Sequence, residues 1–151
     1  LEGGQVPTVD VPTAKATFAA MHRAIQAGLV TACHDLSEGG LAAAAAEMAF
    51  AGGFGLEVSL DKVPSVADAA SAATRLFSES NTRFLCEVRP EDEHAFDEII
   101  RHAGRTGHGV ACARIGRVTD DRLLKITDAG VTIVEADITE LKETWLKPLA
   151  W

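Results

Sequence analysis

Two short segments hold most of the residues that could do chemistry. The first is His34-Asp35-Leu36-Ser37-Glu38-Gly39-Gly40-Leu41, at the predicted junction of a strand and an apolar helix. Ser37 is expected to cap that helix, because a serine hydroxyl accepts from first-turn amides. Gly39 and Gly40 carry no Cβ, so a ligand can approach the bare amides that follow, and the helix dipole favours an anion there. Asp35 and Glu38 put negative charge on the same turn, which repels a naked phosphate by roughly a kcal/mol. They suit a metal-bridged phosphate, or the helix N-terminus itself. A capped helix whose glycines permit tight strand–helix packing accounts for the same residues, and on the residues alone both readings stay open.

The second segment is Leu76-Phe77-Ser78-Glu79-Ser80-Asn81-Thr82-Arg83-Phe84. Its polar run from Ser78 to Arg83 is longer than a turn requires. Ser80 and Asn81 offer donors and acceptors suited to sugar hydroxyls or phosphate oxygens, and Glu79 can pair with Arg83. The competing reading is an Asx/Ser turn with a surface ion pair worth under about 1 kcal/mol. Elsewhere the residues offer less. His22, His94 and His102 fall on helix flanks and His108 in the Gly107-His108-Gly109 turn, so no metal set is expected. His34 borders the first motif, but a lone histidine is ordinarily a hydrogen-bonded structural residue. Glu47, inside an alanine-rich helix, needs a partner if buried. No catalytic residue, Walker loop or GxGxxG is legible.

The elements that must position these segments follow from periodicity. Residues 1–12, with Pro7 and Pro12, read as an extended lead-in. Thr13 is expected to cap a helix through about Ala27, with Phe18, Met21 and Ile25 inward and Gly28 as its stop. Leu29 to Cys33 reads as a buried strand and Leu41 to Ala51 as a buried helix. Phe54 to Leu60 alternates as a strand, with Phe54, Leu56, Val58 and Leu60 on one face. A third helix is expected over Val66–Leu76 and a strand over Arg83–Val88. Pro90 to Glu93 has the proline and acids of a helix start, and that helix carries Phe96, Ile99 and Ile100 inward to Gly104. Strands at Val110–Val118, Leu123–Ile126 and Val131–Glu135 follow, then a helix over Ile138–Leu146 capped by Asp137. The order α-β-α-β-α-β-α-β-β-β-α predicts an α+β fold, a mixed or antiparallel sheet covered by helices, with residues 13–151 as a single lobe.

Composition narrows the class. The chain has 151 residues, 47% hydrophobic and 24% charged, with a net charge of −8. Those proportions exclude wholesale disorder, and the acidic balance argues against nucleic acid as a partner. Its 26 alanines stand against six phenylalanines, two tryptophans and no tyrosine, so the core is expected to be built from closely approaching small side chains. No apolar run reaches the roughly 20 residues of a membrane span. Cys33, Cys86 and Cys112, without CxxC spacing, read as three reduced, buried thiols in a cytoplasmic protein. The abrupt start at Leu1 suggests a piece of a longer chain.

The two motifs, in this order and spacing, closely resemble the last lobe of the phosphoribosylformylglycinamidine synthase family. Ala46-Glu47-Met48-Ala49, Gly53-Phe54-Gly55 and Ile115-Gly116-Arg117-Val118 look like further signatures of that lobe, and the resemblance runs from Thr13 to Trp151. It implies the C-terminal domain of the aminoimidazole ribonucleotide synthetase-like fold. It further implies an enzyme that amidates formylglycinamide ribonucleotide with Mg-ATP and glutamine-derived ammonia, through a phosphorylated amide, in the cytoplasm. Its partners would be the remaining lobes of the chain and a glutaminase subunit or domain. By pseudo-symmetry with the first half of such enzymes, Glu79, Ser80 and Asn81 would line a nucleotide or substrate cleft; Ser37, Gly39, Gly40 and Arg83 are candidate nucleotide- or substrate-binding residues as well. His34, Asp35 and Glu38 are further candidates. The family's catalytic histidines and magnesium-binding acids match nothing in this chain, so an isolated lobe is expected to be inactive. Two alternatives are a lobe of aminoimidazole ribonucleotide synthetase, selenophosphate synthetase or thiamine-monophosphate kinase, and a non-catalytic nucleotide- or phosphate-binding module.

Overall fold

A computed structural model of the chain describes residues 6–66, 71–104 and 109–149. His108 and residues 67–70 of the predicted third helix lie outside them. The element order is α1 (Val11–Gln26), β1 (Val30–Asp35), α2 (Gly40–Gly52), β2 (Gly55–Ser59), α3 (Ala72–Phe77), β3 (Phe84–Val88), α4 (Glu93–Gly104), β4 (Gly116–Thr119), β5 (Leu123–Asp128), β6 (Val131–Asp137) and α5 (Ile138–Leu146), with short 3-10 turns at Leu60–Lys62, Pro90–Asp92 and Lys147–Leu149. This is the predicted alternation, in an α+β fold. The strands form two sheets rather than one. β1 and β3 make an antiparallel pair, and β4-β2-β5-β6 make a mixed sheet in which β2 and β5 run parallel. Two compact units result: residues 1–37 with 79–112, and residues 38–78 with 113–151.

The first unit packs α1 on α4. Ala20 and Ala24 have no exposed surface and meet Phe96, Ile100 and Ala103, with Leu29, Val88 and Ile99 packed around them. Alanine on the facing stripe lets the helix backbones approach closely, so the larger residues sit elsewhere on the helix. That corrects the expected inward stripe: Met21 is buried, but Phe18 and Ile25 are more than half exposed. Phe18 instead meets Phe84 edge to face, with ring centroids 5.9 Å apart. α1 also starts earlier than predicted. Asp10 is its cap, accepting from the Thr13 amide at 2.9 Å, so Thr13 is the capped residue and not the cap. Pro12 fits in the first turn, where its missing N–H has no partner to lose.

In the second unit, α2 supplies Leu41, Ala44, Ala45 and Ala49 to a core completed by Val58, Leu60, Leu76, Leu124, Ile126 and Ile138. Leu41, Leu60, Ile126 and Ile138 are almost wholly enclosed. α5 begins where Asp137 accepts from the amides of Thr139 and Glu140 at 2.7 and 3.3 Å, as its position before the helix predicted. Phe50 on α2 and Trp145 on α5 form a tilted ring pair at 5.8 Å. Three expectations change here. Phe54 is exposed and precedes β2, which starts at Gly55; of the predicted face, Leu56 is half-buried and Val58 and Leu60 are buried. Residues 110–115 are not a strand, and β4 starts at Gly116. Val66 is exposed and non-helical, and α3 spans Ala72–Phe77. No helix among the described residues is long and apolar enough to cross a membrane.

Candidate functional site

Each of the two motifs crosses from one unit to the other, the first between Ser37 and Glu38, the second between Ser78 and Glu79. Within each unit the two motifs are neighbours. In the first unit, β1 ends at Asp35 opposite Phe84, and the Leu36 amide donates to the Arg83 carbonyl at 3.0 Å. In the second unit, the head of α2 lies against the end of α3. A Cβ placed on Gly40 would stand 2.8 Å from the carbonyl oxygens of both Leu76 and Ser78. Gly40 also has φ +60°, a left-handed conformation that costs other L-residues roughly 1–2 kcal/mol. Glycine at this position is therefore required twice, by conformation and by contact.

The helix start differs from the predicted one. Gly39, with φ +77°, occupies the cap position of α2, and no side chain caps the helix. Ser37 lies two residues too early and is exposed. The left-handed turn at Gly39 and Gly40 steers the chain into the helix, the role assigned to a serine hydroxyl in the sequence reading. Asp35 and Glu38 are exposed, and Glu47 is half-buried. His34 Nδ1 is 2.6 Å from the Asp35 carbonyl oxygen and 3.7 Å from the Asp35 carboxylate. The first contact fixes the tautomer with the proton on Nδ1. In the second motif, Thr82 takes a left-handed φ of +64° just before Arg83. Burial draws the Arg83 guanidinium below its ordinary pKa. Glu79 and Asn81 are exposed. His22, His94 and His102 are exposed on α1 and α4.

Arg75 anchors α3 just before the second motif. Its Nη2 lies 2.6 Å from Asp128 on β5, and its Nη1 donates to the Leu60 carbonyl at 3.1 Å. Its Nε is buried without a hydrogen-bond partner. Sequence reasoning passed over Arg75, because its partners lie 15 and 53 residues away.

A concavity of about 500 Å³ in the second unit was also missed; Glu57, Ser59, Lys62, Arg114, Arg117 and Lys125 are among its lining residues. Four cations around one carboxylate attract anions, although Arg117 is held by Glu57 at 2.7 Å and Lys125 by Glu135 at 3.7 Å. The Glu57 contact raises the Arg117 pKa. The signal was the Arg114-x-x-Arg117 spacing in a chain with few cations, concealed by the net charge. Gly116 between them abuts the Glu57 carbonyl, so a Cβ there would collide with β2.

The three thiols are less buried than expected: Cys33 and Cys112 are exposed and Cys86 is half-buried. The β1 side chains alternate between half-buried and exposed, and Cys33 falls on an exposed position. Among the described residues, no group of three or more His, Cys, Asp or Glu could hold a metal ion.

Known proteins resemble this chain in sequence and in fold. The phosphoribosylformylglycinamidine synthase subunit PurL of Lactobacillus helveticus is 38% identical over 125 residues, covering 83% of this chain. The chain spans 14% of that relative's length. The structure of PurLQS from Thermotoga maritima superposes with a TM-score of 0.79 at 22% identity, over 91% of this chain and 23% of the other. E. coli HypE, a hydrogenase maturation protein, superposes with a TM-score of 0.66 at 18% identity, over 79% of this chain and 39% of that one. At those identities the superpositions establish the fold alone. The family model described as AIR synthase related protein, C-terminal domain, matches residues 1–129. The chain belongs to that family.

Proposed function

We propose that residues 13–151 are a single lobe of a longer cytoplasmic ligase, a phosphoribosylformylglycinamidine synthase. That enzyme amidates formylglycinamide ribonucleotide to formylglycinamidine ribonucleotide, using ATP and glutamine-derived ammonia. The observation that carries this reading is the 38% identity over 125 residues to a PurL subunit. It favours the synthase over the related kinase and selenophosphate enzymes. The partners are the remaining lobes of the same polypeptide and a glutaminase subunit or domain.

Within that enzyme the nucleotide- or substrate-binding residues are, in the first unit, Ser37, Glu79, Ser80, Asn81 and Arg83 with His34 and Asp35 as further candidates, and, in the second unit, Gly39 and Gly40 with Glu38 as a further candidate. Two contacts support the assignment, the Leu36–Arg83 hydrogen bond and the approach of Gly40 to Leu76–Ser78, each within its own unit. The residues suit binding rather than bond-making. Glycine-headed helix amides and short polar side chains hold phosphate and ribose oxygens. ATP supplies the phosphoryl group that activates the amide oxygen in the complete enzyme. The magnesium ion's ligands are placed in other lobes of the enzyme, as the family resemblance implies.

The test is calorimetry and turnover on the 151-residue chain with Mg-ATP, ADP and the ribonucleotide. A lobe of a larger enzyme gives no synthase turnover and no micromolar binding. Turnover by the chain alone refutes the reading. Micromolar nucleotide binding that is lost on Gly39→Val supports the self-sufficient binding module instead.

A further inference from the structure

In the first unit, Cys33 on β1 and Cys86 on β3 are direct cross-strand partners in an antiparallel pair. Their sulfur atoms are 3.6 Å apart. Residues directly opposite on antiparallel strands have Cα atoms about 4.5 or 5.5 Å apart, and both spacings lie within the roughly 4.4–6.8 Å that a disulfide spans. The two side chains leave the same face of the sheet. A disulfide therefore requires only that the sulfurs close in, with no change of register.

The two thiols differ in access and in chemistry. Cys33 is exposed, whereas Cys86 is half-buried, with its sulfur 3.8 Å from the Met21 thioether on α1. The Cys86 thiol donates to the Cys33 sulfur and stabilises it as a thiolate. That hydrogen bond, assisted by His34 and opposed by burial and Asp35, lowers the Cys33 pKa from 9.0 to about 7. Cys86 moves the other way, raised by the same hydrogen bond and by burial. Cys112 is also raised, by partial desolvation of its sulfur and by Asp97.

We propose that Cys33 and Cys86 form a hydroperoxide-sensitive dithiol, in which Cys33 is the attacking sulfur and Cys86 the resolving one. The Cys33 thiolate attacks the outer oxygen of a hydroperoxide. An S–O bond forms, the O–O bond breaks, and the alkoxide or hydroxide leaves and takes up a proton. Cys33 is now a sulfenic acid, and the peroxide has accepted two electrons. The Cys86 sulfur then attacks Cys33 and forms the S–S bond. The sulfenic oxygen leaves as water with the Cys86 proton. The product ties β1 to β3 beside the Asp35–Phe84 pair, where the two motifs meet these strands. The pair is independent of the proposed ligase reaction.

At pH 7 a thiol with pKa about 7 is half ionised, against about one hundredth for one at 9. The lower basicity of such a thiolate gives back part of that gain, leaving a rate advantage of about five- to eightfold. The reduced chain is treated with hydrogen peroxide at about pH 7, quenched with iodoacetamide and analysed by intact mass and peptide mapping. The expected product has lost two hydrogens, joins the Cys33 and Cys86 peptides, carries alkylation at Cys112 and reverts with dithiothreitol. Cys112→Ser forms the same bridge. Cys86→Ser accumulates a Cys33 sulfenic acid trapped by dimedone, and Cys33→Ser consumes peroxide at least about fivefold more slowly. The proposal is overturned if Cys33 goes on to sulfinic acid while Cys86 stays alkylatable. It is equally overturned if the bridges that form involve Cys112, or if Cys112 oxidises as fast as Cys33.

Discussion

The contact between the two motifs at the head of α2 can be weighed by one substitution, Gly40→Ala. Two costs add. The new residue must hold φ +60°, roughly 1–2 kcal/mol for an L-residue. Its Cβ must also displace the carbonyls of Leu76 and Ser78, both 2.8 Å away, and the Phe77 carbonyl carbon at 3.0 Å. These are backbone atoms, so the strain is that of overpacking, about 1–3 kcal/mol. Gly53 at the other end of the same helix is the matched control. It has φ +76° with nothing within 4 Å of a built Cβ, so Gly53→Ala carries the conformational term without the steric one. The gain from stiffening the unfolded chain is common to both and cancels. Gly40→Ala should therefore exceed Gly53→Ala by about 1–3 kcal/mol in urea unfolding followed by circular dichroism, with a midpoint temperature lower by about 2–4 °C per kcal/mol. Equal destabilisation by the two substitutions would refute the packing of Gly40 on the second motif.

Further outcomes follow from the ion pair and the cap. Arg75→Met removes the Asp128 and Leu60 contacts and should cost about 1–3 kcal/mol, since both charged side chains are largely covered. In a double-mutant cycle with Asp128→Asn the two losses should be non-additive, and strict additivity would show that the pair contributes nothing. Asp137, whose carboxylate accepts from the Thr139 and Glu140 amides, is held below its ordinary pKa of 3.8. A carboxyl depressed in the folded state contributes stability that is complete above its unfolded pKa and is lost as pH falls through the folded value. Asp137→Asn should thus flatten the loss of stability below about pH 4, as read by urea midpoints, and an unchanged acid limb would contradict the cap's contribution.

Local signals made part of this molecule legible. Asp137 before an amphipathic run, and Pro90 with three acids after it, marked helix starts correctly because caps and dipoles act over three or four residues. Features decided by distant partners were not legible. Ser37 looked like a cap until Gly39 and Gly40 turned out to use left-handed backbone to start α2. Phe18 and Ile25 looked like core because they fall at helical spacing with Met21, yet the α1–α4 interface selects Ala20 and Ala24. The two sheets depend on β2 pairing with β5 across α3, β3, α4 and β4, which no local pattern encodes. The opposition of Cys33 and Cys86 needed the strand register, 53 residues apart in sequence. The two motifs stood out in the sequence as polar and glycine-bearing segments, whereas their adjacency within each unit emerged from the fold.

The central claim is that this chain works as one lobe of a phosphoribosylformylglycinamidine synthase. The most direct test is to graft residues 13–151 in place of the matching lobe of a full-length synthase and to measure formation of formylglycinamidine ribonucleotide. The account predicts turnover by the graft that is lost on Gly40→Val, and none by the chain alone. A folded graft that binds ATP and substrate through its own lobes but makes no product would contradict it.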